Sequence, residues 1–392
     1  MMLLKLAVRN LLGAGLRTWL NVFVLSLSFV LIIFTQGLIQ GMNKQAEEAM
    51  VASEVGGGHF QHPAYDPYDP LTLSDAHGPL PAPLTALVAS GQAAAVLVTQ
   101  GTIYPEGRLF TVQVKGIDPG QKILNLPTSL LATPAESGEV SVLIGTRMAK
   151  TAGLKKGDTF SLQWRDAHGT FDALDAAVIE VFSTTVQTVD LGQIWVPLER
   201  LRDMTGLAGQ ATFVVLAPGA PAPPGAAPWI FRSRDDFLSD LRAMVQAKTV
   251  GSTIIYVIFL ALAMLAIFDT QVLSIFRRRR EMGTLMALGF TRGRVIGLFT
   301  LEGMLNGVLG ALVAAVYGIP LLAWFARTGW AMPAAVDSYG FAIGQRLFPA
   351  FSAGLVAGTT LLVLLTTTVV SFLPTRRIAK LKPTDALRGR VS

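Results

Sequence analysis

The residues best suited to chemistry in this sequence are few and scattered. His59, His62, Asp66, Asp69 and His77 crowd one stretch, but Pro63, Pro67 and Pro70 between them break any regular metal-ligand spacing. Asp269 and Glu302 are carboxylates inside otherwise apolar runs, where an ionisable group is functional by default. Each lies about 12 Å along a helix from an arginine-bearing loop; pairing with arginine or water is the favoured reading for Asp269, and for Glu302 it stands even with a functional role. Gly153–Thr159 is glycine-bearing but lacks the Gly-Lys-Ser/Thr ending of a phosphate-binding loop. No nucleophile, base and orienting group recur together, and the chain has four histidines and no cysteine. Neither catalysis, a metal site nor a disulfide framework is expected of it.

The elements around these residues are those of a membrane protein. The 392-residue chain is 51% hydrophobic and 15% charged, whereas soluble proteins are about 25% charged. Its apolar content gathers in four stretches, 18–43, 249–276, 295–326 and 347–375. Each is long enough to cross a hydrocarbon core of about 30 Å. The net charge of +6 raises nucleic acid as a partner, but Lys and Arg crowd the ends of the apolar runs, which argues against it. The basic segments 1–17, 277–294 and 376–392 fall on one side if four spans alternate. The positive-inside rule then places both termini in the cytoplasm and residues 44–248 outside it. In 1–17, Lys5, Arg9, Gly13 and Arg17 recur every fourth residue among leucines, which suits a helix lying in the inner membrane interface. A secretory leader is disfavoured, because the run 18–43 exceeds the roughly 7–15 residues of such a core and no small-x-small cleavage site comes after it.

Residues 44–248 carry both charges, many Pro and Gly, and short alternating runs. Strands are expected at Ala94–Thr99, Leu109–Gly116, Val140–Ile144, Thr159–Trp164, Val178–Phe182, Gln193–Pro197 and Thr212–Leu216. Helices are expected at Leu84–Ser90, Thr146–Ala152, Leu198–Thr205 and Arg234–Lys248. The fold class expected is therefore an α-helical membrane protein with four transmembrane helices and a large mixed α/β extracytoplasmic domain between the first two. A short outer loop, 327–346, holds Trp330, Pro333, Tyr339 and Phe341, which suit an interface. Gly303 with Gly307, and Gly354 with Gly358, have close-packing spacing for helix contacts within the bundle.

Segment 277–294 stands out. Its four arginines are explained by topology and by attraction to anionic lipid. The residues after the arginines need another reason: Glu281, Leu285 and Leu288 recur at i, i+4 and i+7, while Gly283, Ala287 and Gly289 keep the surface small. Such a helix suits docking by another protein.

Three motifs carry a family resemblance. Arg279-Arg280-Glu281-Met282-Gly283-Thr284-Leu285-Met286-Ala287-Leu288-Gly289 is one. Leu143–Ala149, continued by Gly153-Leu154-Lys155-Lys156-Gly157-Asp158-Thr159, is the second. Pro374–Ala379 with Lys382–Arg388 is the third. Together with the one-plus-three span layout they resemble the FtsX-like or MacB-like ABC transporter permeases over nearly the whole chain. The start of the outer domain, Gly58-His59-Phe60-Gln61, most resembles the lipoprotein-releasing LolC/LolE-type subunits. Asp269 departs from the Asn common there, whereas Glu302 matches a common acidic position.

The resemblance implies an inner-membrane permease that hydrolyses no nucleotide itself. It implies a partner ABC ATPase that binds ATP and Mg, and a second permease subunit forming a homo- or heterodimer. A periplasmic carrier or adaptor and membrane lipids complete the expected partners. The docking residues would be Arg280, Glu281, Met282, Gly283, Thr284, Leu285, Ala287, Leu288 and Gly289. Acyl chains of a lipoprotein bury about 0.8 kcal/mol per methylene, so such a substrate needs an apolar cleft. Phe23, Leu27, Phe29 and Phe34 of span one with Ile258, Leu262 and Met264 of span two are the candidates, and lipid contact explains them equally well. A tripartite exporter of peptides, siderophores or drugs stays open, as does a regulator of a cell-wall hydrolase. A tethered enzyme or adhesin is disfavoured, since it would not need the docking helix.

Overall fold

The computed structural model describes residues 2–13, 15–133, 138–184, 186–239, 242–243, 279–331 and 346–378, with isolated helical positions at 254, 257, 258, 261, 265, 268 and 272. These divide into two compact units, a helical one of residues 2–43, 254–331 and 346–378 and a sheet one of residues 44–243. Most of the second expected span, 249–276, and the tail beyond 378 lie outside the described residues.

The chain opens with α1 (Met2–Gly13), turns at Gly15 with φ +59°, and enters α2 (Leu16–Met50). Thr18 closes the turn by donating its hydroxyl to the Leu11 carbonyl at 3.0 Å. At 1.5 Å per residue α2 is about 52 Å long, well over the thickness of a hydrocarbon core. It does not stop where its apolar run ends. Lys44-Gln-Ala-Glu-Glu-Ala-Met50 is polar but made of good helix formers, so the helix continues out of any bilayer and ends in a single π-turn, Val51–Val55.

The sheet unit comes next. Its strands are β1 (Gly58–Gln61), β2 (Gly78–Pro79), β3 (Ala93–Tyr104), β4 (Phe110–Ile117), β5 (Val140–Gly145), β6 (Thr159–Arg165), β7 (Phe171–Phe182), β8 (Gln193–Pro197), β9 (Gln210–Ala211), β10 (Phe213–Leu216) and β11 (Ile230–Ser233). Helices α3 (Ala82–Ala89), α4 (Thr146–Ala152), α5 (Gln187–Asp190) and α6 (Leu198–Thr205) lie between them. Nine of these strands form one sheet in the order β11-β1-β10-β3-β4-β8-β5-β7-β6. β3 is long enough to take two partners on one edge: Ala93–Val96 pair with β10, and Gly101–Tyr104 with β6. The second pairing closes β3-β4-β8-β5-β7-β6 into a barrel, and β10, β1 and β11 leave it as a wing.

Alternation along the strands separates two cores. Leu97, Val114, Val142, Leu162, Trp164 and Ile194 belong to one. Val96, Val98, Leu143, Trp195, Phe213 and Val215 face the other way, under Leu73, Leu124, Leu126 and Leu131 of the connecting turns. Trp164 satisfies its indole N–H on the Met204 carbonyl at 2.7 Å. The Pro/Gly/Ala stretch after β10 is anchored at its end by buried Ala226 and Trp229.

The helical unit resumes with α7 (Arg279–Ala287), α8 (Arg292–Thr328), the pair β12 (Trp330–Ala331) and β13 (Arg346–Leu347), and α9 (Ala353–Ile378). Among the described residues three helices are long and apolar enough to cross a membrane, with best windows of mean hydropathy 2.4 in α2, 2.1 in α8 and 2.0 in α9. Small residues let them approach. A Cβ on Gly310 would lie 2.8 Å from Leu25 Cβ, and one on Gly318 2.7 Å from Val30, so α8 lies directly on α2. Gly307 meets Leu364 and Thr367 of α9. α2 in turn offers Gly37 and Gly41 to Phe351 and Phe348, a glycine pair not singled out from the sequence. The expected pair Gly354 and Gly358 has, among the described residues, nothing within 4 Å of either position. In α9, Thr367, Ser371 and Thr375 are buried, and each returns its hydroxyl to the carbonyl four residues back at 2.7 Å.

Candidate functional site

The end of α7 decides what α7 displays. Gly289 takes φ +91°, a left-handed conformation that glycine adopts without strain. Its N–H bonds to the Met286 carbonyl at 3.1 Å, and the Phe290 N–H to the Leu285 carbonyl at 3.0 Å, which is a Schellman cap. The cap folds Phe290 back, so that Leu285, Met286 and Phe290 pack together on Val295 and Phe299 of α8. Gly283 is buried as well. Glu281, Thr284, Ala287, Leu288 and Gly289 stay at least partly exposed, Leu288 at 74%. The stripe read from sequence therefore divides. Leu285 anchors the helix, while Glu281, Thr284 and Leu288, at i, i+3 and i+7, form the outward face. Arg280 and Met282 occupy helical positions beside them.

The same stretch of α8 holds α1. Glu302 is 9% exposed and accepts a hydrogen bond from Asn10 Nδ2 at 2.7 Å. Ala7 and Leu11, flanking Asn10 on its helix face, are buried, while Lys5 and Arg9 are exposed. The charged side of α1 was legible in its spacing, but its docking on α8 was not. Asp269 lies outside the described residues.

The candidate cleft residues do not share one environment. Phe23 and Leu27 are exposed at 59% and 53%, on one side of α2. Phe29 points elsewhere, into a core with Val30, Ile32, Ala314 and Val363. Phe34 packs at a tilt against Phe325 and Trp330 at centroid distances of 5.1 and 5.6 Å. Ile258 is exposed on a helical position, and Leu262 and Met264 lie outside the described residues.

In the sheet unit the histidines are used locally. His59 stacks on Phe213 at 4.9 Å and tilts against Phe237 at 4.6 Å. Its Nε2 lies 2.9 Å from the Glu54 carbonyl, and burial pushes its pKa down to about 4, so the neutral ring donates from that nitrogen. His77 sits between Gln210 Oε1 and the Ser74 carbonyl. Asp66 and Asp69 each accept the backbone N–H two residues on, from Tyr68 and Leu71. Among the described residues no group of three His, Asp or Glu converges on a metal position.

A cluster not anticipated from the sequence lies where α2 ends. Glu54, on the π-turn, pairs with Lys115 of β4 at 3.6 Å and accepts the Thr188 hydroxyl at 3.0 Å. The Lys115 side chain is 3% exposed, and its ammonium stands 5.3 Å from the Trp195 ring and 5.9 Å from the Phe213 ring. Burial lowers its pKa, and the Glu54 charge opposes that shift. The available signal was a lysine inside the run Phe110-Thr-Val-Gln-Val-Lys-Gly-Ile117, a strand covered on both faces.

Comparison with known proteins places these features. The FtsX-like permease C-terminal family matches residues 253–383, which include α7, α8 and α9. The MacB-like periplasmic core domain family matches residues 18–227, more than half of the chain. An uncharacterized ABC transporter permease of Methanocaldococcus jannaschii is 30% identical over 168 residues, 40% of this chain and 39% of that protein. The macrolide export ATP-binding/permease protein MacB of Chromobacterium violaceum is 29% identical over 155 residues, 39% of this chain and 21% of that protein. The matched part thus spans well under half the length of these relatives. The extracellular domain of the noncanonic ABC-type transporter YknZ from Gram-positive bacteria aligns over 42% of this chain and 83% of that one, at 16% identity and a TM-score of 0.24. The two family matches, one reaching over the C-terminal helices and one over more than half of the chain including the sheet unit, show that this chain belongs to the FtsX-like permeases with a MacB-like periplasmic core domain.

Proposed function

We propose that this chain is the force-relaying permease subunit of an ABC transporter that releases lipoproteins from the inner membrane, driven by an ATPase on a partner chain. The ATPase, which binds ATP and Mg, docks on the exposed Glu281, Thr284 and Leu288 face of α7. Its closure moves α7, and α8 moves with it through Leu285, Met286 and Phe290. α2 packs on α8 at Gly310 and Gly318 and carries the motion outward. Both termini are cytoplasmic, the residues before 279 supply a fourth span, and two permease subunits form the working unit. The observation that carries this reading is the capped α7, which turns its large apolar side chains onto α8 yet leaves Leu288 exposed. An exposed leucine beside a carboxylate on a rigidly mounted helix suits a protein partner better than water.

Co-purification tests it. Glu281→Lys and Leu288→Asp change only exposed positions, so membrane insertion stays intact. Each is expected to weaken capture of the ATPase chain at least tenfold, the usual consequence of losing a central contact in a docking patch. Retention of the ATPase by both variants contradicts the docking role. The likeness to MacB, a macrolide export protein, supports a second substrate class, macrolides or similar drugs. Reconstituted complexes given an acylated lipoprotein with a soluble carrier, or a labelled macrolide, separate the two by which cargo leaves the membrane with ATP.

A further inference from the structure

α2 can act as a lever only if its far end is gripped. The helix itself stops at Met50, and five residues of π-turn lead from it toward β1. Four separate segments hold that turn. The loop after β4 donates the Asn125 N–H to the Ala52 carbonyl at 2.7 Å. The Thr188 hydroxyl of α5 and the Lys115 ammonium of β4 both reach the Glu54 carboxylate, and His59 takes the Glu54 carbonyl. Beyond the turn there is no slack. Gly57 donates its N–H to the Leu216 carbonyl at 2.7 Å, and a Cβ on Gly56, at φ +56°, would lie 2.6 Å from that same oxygen.

We propose that Glu54 and Lys115 are a positioning pair, the joint that locks the rotation and tilt of the end of α2 to the barrel. The inference rests on the lever reading of α2. An ion pair made on a buried lysine is a poor way to gain stability, because apolar residues of similar volume do as well or better. It does fix geometry, since one carboxylate must meet one ammonium. Lys115 sits on β4 in the middle of the sheet, between β3 and β8, so force reaching it is shared by the whole barrel. Aromatic faces on Trp195 and Phe213 hold the ammonium in place when water cannot. A second strap lies lower on the helix, where Arg242 binds Glu47 through two bonds of 2.9 and 3.0 Å. Arg242 is half exposed, so this strap is the weaker of the two.

The test uses the full chain with its partner ATPase in lipid nanodiscs, as wild type, Glu54→Gln, Lys115→Met and the double variant. Each single variant strands a charge and can fail to fold; the double variant removes both. The chain has no cysteine, so Lys44→Cys and Phe171→Cys introduce two unique spin labels, one on α2 and one on the barrel. Deuterium uptake of residues 44–57 is expected to rise on the order of tenfold in the double variant. The label distance is expected to stay single and narrow in wild type with or without ATP, and to broaden on adding ATP in the double variant. Wild-type uptake and a wild-type distance in the double variant overturn the joint. Faster uptake with no ATP dependence in any variant keeps the joint and sinks the lever reading instead.

Discussion

Glu302 shows how far a single residue can be read. From sequence it was a carboxylate in an apolar run, equally suited to a relay or to a passive contact. The structure gives it a neutral amide from Asn10, and a hydrogen-bond acceptor need not be charged. Glu302→Gln should therefore leave α1 docked, because the amide oxygen still accepts. Asn10→Asp should undock it, at a cost of about 1–3 kcal/mol, by leaving two acceptors face to face. The pair Asn10→Asp with Glu302→Gln should restore docking with the donor and acceptor exchanged. Labelling of a Leu11→Cys thiol, buried only when α1 is docked, reads all three. Rapid labelling in Glu302→Gln would show that the charge itself is required. Residue roles that depend on a partner across the fold, such as Lys115 with Glu54 or Leu285 with Val295, were invisible in the chain. Spacing alone cannot say which side of a helix a cap will turn inward.

Elements with their own patterns were easier. β8 at Gln193–Pro197, α4 at Thr146–Ala152 and α6 at Leu198–Thr205 are found where turn residues and alternation set them. β7 starts at Phe171, well before Val178, because its first half is exposed around Asp172 and Asp175 and is held by backbone pairing to β6 rather than by burial. Helix packing yields a sharper test. Gly310→Leu must displace Leu25 and should destabilise the helical unit by about 1–3 kcal/mol, whereas Gly354→Ala meets none of the described residues and should be neutral or better. Thermal unfolding in detergent measures both, and equal midpoints would contradict the α2–α8 contact. β1 supplies a pH test. Burial holds His59 neutral down to about pH 4, while an unfolded chain takes up the proton near 6.5. The unfolded state then binds more protons across that window, so stability is full above about 6.5 and falls as pH drops toward 4, by about 3 kcal/mol in all. His59→Phe should flatten the slope of the sheet unit's midpoint against pH over that range, and an unchanged slope would assign it to other groups.

At the scale of the whole molecule, composition made the membrane character and the separate mixed α/β unit legible, because hydropathy and charge act locally along the chain. Closure of the barrel through β3 and β6 was not legible, since Gly101–Tyr104 meets Ser161–Trp164 only after the intervening strands are built. Nor was the reach of α2 past Asn43, where polar helix formers take over from the apolar run. That reach makes one continuous helix of the apolar span and the first polar residues beyond it, and a lever of this kind needs a partner that pushes on α7. A photo-cross-linking amino acid placed at Leu288 in intact cells tests this most directly. An adduct with an ATP-hydrolysing chain on the cytoplasmic side is the predicted result. An adduct formed only with proteins outside the cytoplasm would contradict it.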